Sequence, residues 1–280
     1  MVKRPKRRWD NTKLGKAVFL STNDKIRPFV PDTRKATRAA VASMLEQYGT
    51  IYVKPTIGTG GRGIFRVWIQ QTASEPSRLL DTDEQQAQGQ EEQAPAQTVY
   101  CYQRGLTART FSTFDDLYTS MKEKMGPKYH VVQKGIDLLH YGERPFDVRV
   151  MVQKNVRGAW VVTGIIGRVA HPRKVVTNYH NGGTPLPMQL LLKPHIDPAE
   201  PQEAYIRSLC RLGQQIARHM ETGFTWVRAI GIDFGIDTDL RPWVLEVNTL
   251  PDMNIFRKHP DPSVYRRMVR LSGLARRAGH

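Results

Sequence analysis

Two short runs of alternating apolar and polar residues predict a β-hairpin in the last quarter of the chain. They cover residues 230–236 and 243–248, and the polar segment between them contains a proline, as a turn does. Because side chains alternate across a strand, Glu246 and Asn248 share one face, and an even-numbered connection puts Asp233 opposite Glu246. Two carboxylates and an amide oxygen suit Mg²⁺ held partly by phosphates. The alternative is a polar face that only meets water.

A glycine-rich loop lies between two other predicted strands, over 50–55 and 64–69. Four of the six residues at 58–63 are glycine, so backbone N–H groups can approach phosphate oxygens without interference from a Cβ. Lys54 at the end of the first strand adds a cation for the same phosphates. The loop is not a Walker A motif, because no Gly-Lys-Ser/Thr opens a helix after it. The alternative is a flexible turn beside a solvated lysine.

Three stretches with a 3.6-residue apolar period predict helices over 34–48, 114–125 and 199–221. Asp32 or Thr33 is positioned to cap the first of them. Strand patterns occupy much of the remaining second half of the chain.

Composition limits the class of protein. With 280 residues and 40% hydrophobic content, the chain can form one large domain or two lobes. No run of eighteen apolar residues exists, so no membrane span is expected, and the N-terminus lacks the apolar segment of a secretory signal. Cys101 and Cys210 are far apart, which is typical of reduced thiols in a cytoplasmic protein.

The net charge of +16 is concentrated at the chain ends. Residues 1–16 and 257–280 each hold seven Lys/Arg against one Asp, so we expect a disordered basic tail over 1–10 and a basic C-terminal tail over 257–280. Such tails bind polyanions non-specifically. Aromatic residues are not interleaved with the basic runs, so sequence-specific nucleic-acid recognition is not expected. Residues 72–98 are acidic and poor in apolar clusters, which predicts a disordered insertion.

Several motifs together resemble a known family. They are, in order, Lys54 with GTGGRGI, then VVQKGI, FDVRV, GRVA, VVTNYHNGG and GIDFGID…WVLEVNTLP. This is the order of motifs in ATP-grasp proteins, and VPDT, YVKP and GRGI are most similar to the endospore coat-associated YheC/YheD family of bacilli. The resemblance covers roughly residues 11–256. Each motif is weak alone and the set is specific.

The resemblance implies an ATP-grasp fold, in which two α+β lobes clamp ATP. Lobe 1 would cover 11–130, with the glycine flap and the acidic insertion, and lobe 2 would cover 131–256, with the adenine hinge and the Mg²⁺ site. Two features depart from the family pattern. Only about 25 residues precede the first matched helix cap, so the usual N-terminal α/β domain is not expected. The insertion also lies within the flap lobe.

The resemblance also implies nucleotide-binding residues by position. Lys54 would meet the α-phosphate, the Gly60, Gly61, Arg62 and Gly63 loop would cover the β- and γ-phosphates, and Lys13 would be the family's first ATP lysine. The residues matching the adenine hinge and the ribose contact are Gln133, Lys134 and Ile136, and Asp137.

The remaining matched positions belong to the metal and to phosphoryl transfer. Asp233, Glu246 and Asn248 match the Mg²⁺ ligands, and Glu246 would bridge two ions. The positions that hold the γ-phosphate, the acylphosphate or the acceptor are Arg149, Arg168 and Asn178.

The implied activity is ATP- and Mg²⁺-dependent ligation of a carboxylate to an amine or thiol through an acylphosphate. The substrates would be a small-molecule or peptide carboxylate and an amine acceptor. The family resemblance adds spore association to the cytoplasmic expectation, with spore-coat contacts through the basic tails. The alternative is a non-catalytic ATP-binding structural protein of the spore coat.

Overall fold

A computed structural model describes residues 9–58, 60–72, 97–171 and 183–277, and side chains through residue 273. Three predictions fall largely or wholly outside this part of the chain. They are the basic tail over 1–10, of which only Trp9 and Asp10 are described, the acidic insertion, and the role of Asn178.

The first half of the described chain builds one antiparallel sheet. Its elements are α1 (Lys13–Leu20), β1 (Thr33–Lys35), α2 (Arg38–Tyr48), β2 (Thr50–Pro55), β3 (Phe65–Thr72), β4 (Gln97–Arg104), β5 (Thr107–Phe111), α3 (Phe114–Met125) and β6 (His130–Lys134). The strand order of this first sheet is β1-β6-β2-β3-β4-β5. A short 3-10 helix, Arg27–Phe29, lies between α1 and β1.

The second half builds another antiparallel sheet. Its elements are β7 (His140–Tyr141), β8 (Arg144–Lys154), β9 (Trp160–Val169), β10 (Thr184–Leu186), α4 (Met188–Leu192), α5 (Ala199–Gly223), β11 (Ala229–Ile236), β12 (Pro242–Asn248), the 3-10 helix Asn254–Lys258, and α6 (Pro262–Arg277). The strand order of this second sheet is β10-β9-β8-β11-β12, and β7 pairs with β8. The α+β prediction is therefore confirmed.

Helix boundaries agree with the sequence patterns where a cap is local. α3 has its predicted bounds, because the Thr113 side chain accepts a hydrogen bond from the Asp116 N–H and Gly126 ends the helix with a φ of 63°. α5 begins at the predicted residue and runs two residues beyond the predicted end. The alternating residues 230–236 and 243–248 form paired strands, as predicted.

The first predicted helix starts in the wrong place. Residues predicted to begin it at 34 instead form β1, which pairs antiparallel with β6. The cap is Thr37, whose side chain accepts a hydrogen bond from the Ala40 N–H, rather than Asp32 or Thr33. Pairing with β6 satisfies the backbone of this segment before the helix begins, which a local pattern does not reveal.

Each sheet buries a large hydrophobic core against helices. The first lies among α2, α3 and the first sheet, around Met44, Phe65 and Met121. The second lies between the second sheet and α5, and it also contains Phe19 and Leu20 from α1. α1 therefore precedes the first sheet in the chain but packs in the core of the second. β6 pairs with β2 as far as Lys134, so the first sheet extends to that residue.

The C-terminal segment expected to be a basic tail is a helix, α6, as far as Arg277, and it packs on the second sheet rather than projecting from it. α6 covers the face of the second sheet opposite α5, where Met268 is fully buried. A Cβ on Gly164 of β9 would lie 2.2 Å from Met268 Cε, so glycine permits this close packing. Gln153 Nε2 donates to the Met268 carbonyl (3.2 Å) and anchors the helix. The basic residues of α6 thus share a helix with a buried apolar stripe.

Cys101 and Cys210 are both thiols, as expected. Across the described ranges, no helix combines the length and apolarity needed to cross a bilayer.

Candidate functional site

A cleft between the two sheets collects the predicted polar residues. Its cavity is lined by Lys54 and Gln133 from the first sheet, Glu246 from β12, and Lys13 and Lys16 from α1. Three separate parts of the chain therefore contribute charged groups to one space.

The first sheet contributes a lysine bound by a neutral amide. Lys54 Nζ donates to Gln133 Oε1 (2.5 Å), and Gln133 Nε2 donates to Thr33 Oγ1 (3.0 Å). Burial lowers the pKa of the Lys54 ammonium to about 8, although the nearby Glu246 carboxylate opposes that shift. A bound phosphate would stabilise the charged form of this side chain.

α1 connects the glycine loop with the second sheet. Lys13 Nζ donates to Glu246 Oε1 (2.8 Å) and to the Gly58 carbonyl (2.9 Å). Lys16, one turn further along the helix, is buried, and burial lowers the pKa of its ammonium. The sequence reasoning missed Lys16. Its helical spacing of three from Lys13 is the signal that could have found it.

The predicted register of the hairpin is confirmed. Asp233 on β11 pairs directly with Glu246 on β12, and Gly231 pairs with Asn248. The register shifts after Asp233, because Leu245 is an extra residue that forms a bulge. The bulge keeps Phe234 and Val244 in the core while Asp233 and Glu246 stay paired.

The second sheet contributes a buried network of ion pairs. Arg149 on β8 binds both carboxylate oxygens of Asp233, through Nε and through Nη2 (3.1 Å). Arg168 on β9 binds Asp147 through Nε (2.7 Å) and lies 3.1 Å from Asp233 Oδ1 through Nη2. Strand pairing places these four side chains side by side. Sequence reasoning missed Asp147, although it lies two residues before Arg149 on the same strand face.

Charge pairing dominates the titration of this network. Burial disfavours the Arg168 cation, but Asp147 and Asp233 outweigh burial and raise the pKa of the guanidinium. Burial alone would raise the pKa of Asp233, but Arg149 and Arg168 outweigh burial and lower it. Arg168 and Asp233 are therefore both charged at neutral pH.

Mg²⁺ fits the donor set of the hairpin. Asp233 and Glu246 are cross-strand neighbours, and Asn248 lies two residues beyond Glu246 on the same strand. Asp233 accepts hydrogen bonds on both oxygens, which leaves Oδ2 with unused acceptor capacity. Lys13 is the cation that meets Glu246 here. Within the described residues, no three His, Cys, Asp or Glu side chains gather as a metal cluster, so the metal would rely on two carboxylates, an amide and phosphate oxygens.

The glycine loop follows β2, and the hinge begins at the end of β6. Gly60, Gly61 and Gly63 all have φ near 70°, a conformation that residues with a side chain rarely adopt. Arg62, which lies among them, is exposed. Lys134 at the end of β6 lies over the Tyr48 and Trp243 rings. The next residues lead toward the second sheet, and among them Ile136 is half-buried and Asp137 is exposed. Their nucleotide contacts stay predictions.

The cleft carries an excess of positive charge. Among the described residues that line its cavity, the cations are Lys13, Lys16 and Lys54 and the carboxylate is Glu246. Three cations against one carboxylate favour binding of a polyanionic ligand such as a nucleoside triphosphate.

Two antiparallel α+β lobes with this charged cleft define an ATP-grasp protein. The chain belongs to the YheC/D-like ATP-grasp family, whose model matches residues 9–272.

Two curated relatives and one solved structure illustrate the similarity. The endospore coat-associated protein YheD of Bacillus subtilis is 27% identical over 259 residues, which cover 87% of this chain and 48% of YheD. YheC of the same organism is 21% identical over 244 residues, which cover 86% of this chain and 60% of YheC. The C-terminal domain of K. lactis Pby1, an ATP-grasp enzyme, aligns at 12% identity with a TM-score of 0.47, covering 90% of this chain and 67% of that domain. The chain thus spans about half the length of the curated relatives.

Proposed function

We propose that this protein is an ATP- and Mg²⁺-dependent ligase that joins a carboxylate to an amine or thiol through an acylphosphate. The observation that carries the proposal is the paired Asp233 and Glu246 in a cleft with excess positive charge. Membership of the ATP-grasp family supports the nucleotide.

The reaction would proceed in two steps. A carboxylate oxygen attacks the γ-phosphorus of ATP and ADP leaves, which gives an acylphosphate. The amine or thiol then attacks the acyl carbon, loses its proton, and expels inorganic phosphate. The first step needs positioning and charge neutralisation rather than a protein nucleophile.

The residues of the cleft have separate tasks in this proposal. Lys54 and Lys13 hold phosphate oxygens, and the Gly60–Gly63 loop covers them with backbone N–H groups. Arg149, Arg168 and Asn178 orient the transferred phosphoryl group or the acceptor. Asp233, Glu246 and Asn248 would hold Mg²⁺, which supplies neutralisation of the β- and γ-phosphate oxygens when bound. Gln133, Lys134 and Ile136 form the adenine edge, and Asp137 meets the ribose.

The test separates turnover from nucleotide binding. Glu246→Gln keeps the size of the side chain but removes its charge, so turnover should fall by about 10²–10³-fold while Mg·ATP binds more weakly but still measurably. Lys54→Ala should instead weaken ATP binding. The measurements are calorimetric binding of ATP with and without Mg²⁺, and phosphate release with pooled amino acids, amines and short peptides.

Glu203→Gln changes an exposed glutamate on α5 and should alter neither measurement. Asp233→Asn should resemble Glu246→Gln in turnover, because both act through the metal. If the unaltered protein binds Mg·ATP no better than either variant, the metal site is absent.

A second candidate is a nucleotide-binding structural protein of the spore coat. The described association of YheC and YheD with the endospore coat favours it. In that case Mg·ATP would bind, yet no substrate pool would stimulate phosphate release. Stimulation by any pool would exclude this candidate.

A further inference from the structure

A groove of about 380 Å³ lies beside the charged cleft, on the face of the second sheet that α6 covers. Met151, Gln153 and Ala229 form its floor, and Pro251 and Leu271 belong to its walls. The volume falls within the range of small-molecule sites, roughly 300–1,000 Å³. The groove is lined by residues that none of the predicted nucleotide contacts uses.

The groove is continuous with the ion-pair network. Met151 follows Arg149 by two residues on the same face of β8, a separation of roughly 7 Å. A Cβ on Gly231 would lie 2.9 Å from Pro251 Cβ and 3.2 Å from Arg149 Nη1. Glycine there allows the wall of the groove and the arginine to approach each other. Arg149 uses Nε and Nη2 on Asp233, and its Nη1 is the nitrogen that lies against Gly231, where Pro251 of the groove wall also packs.

The rim of the groove exposes large apolar side chains. Trp226 is 51% exposed and Leu250 is 85% exposed, and both line the groove. Neighbouring exposed apolar residues around a concave site are typical of ligand binding rather than of fold packing. They would cover an apolar or aromatic part of a ligand.

The charges of the groove select an anion. Its charged lining residues are Lys154 and Arg228, and its described lining includes no carboxylate. Lys154 is paired with Glu221, whereas Arg228 is exposed and anchored by two carbonyl contacts of its Nη1. Arg149 and Arg228 therefore place positive charge at the two ends of an apolar surface.

We propose that the groove binds the carboxylate substrate, an apolar or aromatic carboxylic acid such as an acylated apolar amino acid. Its body lies on Met151 and between Trp226 and Leu250, and its carboxylate points toward Arg149. The assignment as substrate rests on the proposed ligase function. The binding itself does not require turnover.

Direct binding of a defined probe tests the inference. N-acetyl-L-phenylalanine has the required body and charge, whereas N-acetyl-L-phenylalaninamide lacks the charge and acetate lacks the body. Ligand-observed NMR titration of the full chain should give binding of the first, with the other two weaker by about tenfold or more. Equal binding of the amide, or no binding of the acid, would overturn the proposal.

A surface substitution locates the bound probe. Leu250→Asp removes apolar contact and adds a negative charge, so it should weaken the binding of N-acetyl-L-phenylalanine by about tenfold. Leu250→Ser should weaken it by about threefold, because only the apolar contact is lost. Leu106→Asp makes the matched change at another exposed leucine, in the turn between β4 and β5, and should have no effect. Unaltered affinity in Leu250→Asp would place the probe elsewhere and refute the site.

Mg·ATP binding separates this inference from the proposed function. Leu250→Asp should bind Mg·ATP as the unaltered protein does, because the residue lines the groove and not the nucleotide cavity. If the protein binds Mg·ATP but not the probe, the groove proposal is refuted and the proposed ligase function is not affected. If the protein binds the probe but does not bind Mg·ATP, the groove remains a carboxylate site and the ligase proposal is rejected.

Discussion

The two sheets differ in the partners that hold their buried cations, and the pKa values of those cations shift in opposite directions. On the first sheet, Lys54 is bound by the neutral amide of Gln133, and burial lowers the pKa of its ammonium to about 8. On the second sheet, Arg168 is bound by Asp147 and Asp233, and these carboxylates outweigh burial and raise its pKa. A cation held by an amide gains most from an arriving phosphate, whereas a cation held by carboxylates has part of its charge balanced and its position fixed. The first sheet is thus suited to bind nucleotide phosphates, and the second sheet is suited to orient a group with arginines held in fixed positions.

The largest effect is expected when the ion-pair network of the second sheet is broken. Arg168→Met leaves Asp147 and Asp233 buried with less compensation, so the free energy of unfolding should fall by about 3–5 kcal/mol. Urea denaturation with both fluorescence and circular dichroism measures it. Arg218→Met, on the exposed side of α5, is the control and should stay within about 0.5 kcal/mol. A loss below about 1 kcal/mol would show that the ion pairs do not hold this sheet together.

The next effect concerns the first sheet. Lys54→Met removes a buried cation whose partner is neutral, so the free energy of unfolding should change by less than about 1 kcal/mol. ATP affinity should nevertheless fall by about tenfold, because a phosphate loses its cation. Calorimetry and urea denaturation of the same preparation measure both. Stability loss equal to that of Arg168→Met would abolish the distinction between the sheets.

The smallest effect is a pH dependence. Because the pKa of Lys54 is lowered to about 8, its ammonium is charged at pH 7 and loses its proton as the pH rises through 8. ATP affinity should therefore fall severalfold between pH 7 and pH 9, up to the loss seen in Lys54→Met. In Lys54→Met the profile should be flatter. Parallel profiles in the two proteins would assign the titration to another group.

Local patterns predicted the elements whose signals lie within a few residues. α3 has its own cap and stop, and β11 and β12 have their own alternation and turn. The pairing of Asp233 with Glu246 followed from the same alternation. The start of α2 did not follow from a local pattern, because β1 exists only through pairing with β6, which lies about a hundred residues further along the chain.

Sequence by itself determined the family, the two-sheet class and the strand face that carries Asp233, Glu246 and Asn248, because these depend on short-range periodicity and on motif order. Only the tertiary structure decided which charges meet. Lys13 and Glu246 are 233 residues apart, and Arg168 reaches Asp147 and Asp233 across separate strands. It also decided that α1 and α6 pack on the second sheet, because burial of an apolar stripe requires a partner surface that the helix does not encode.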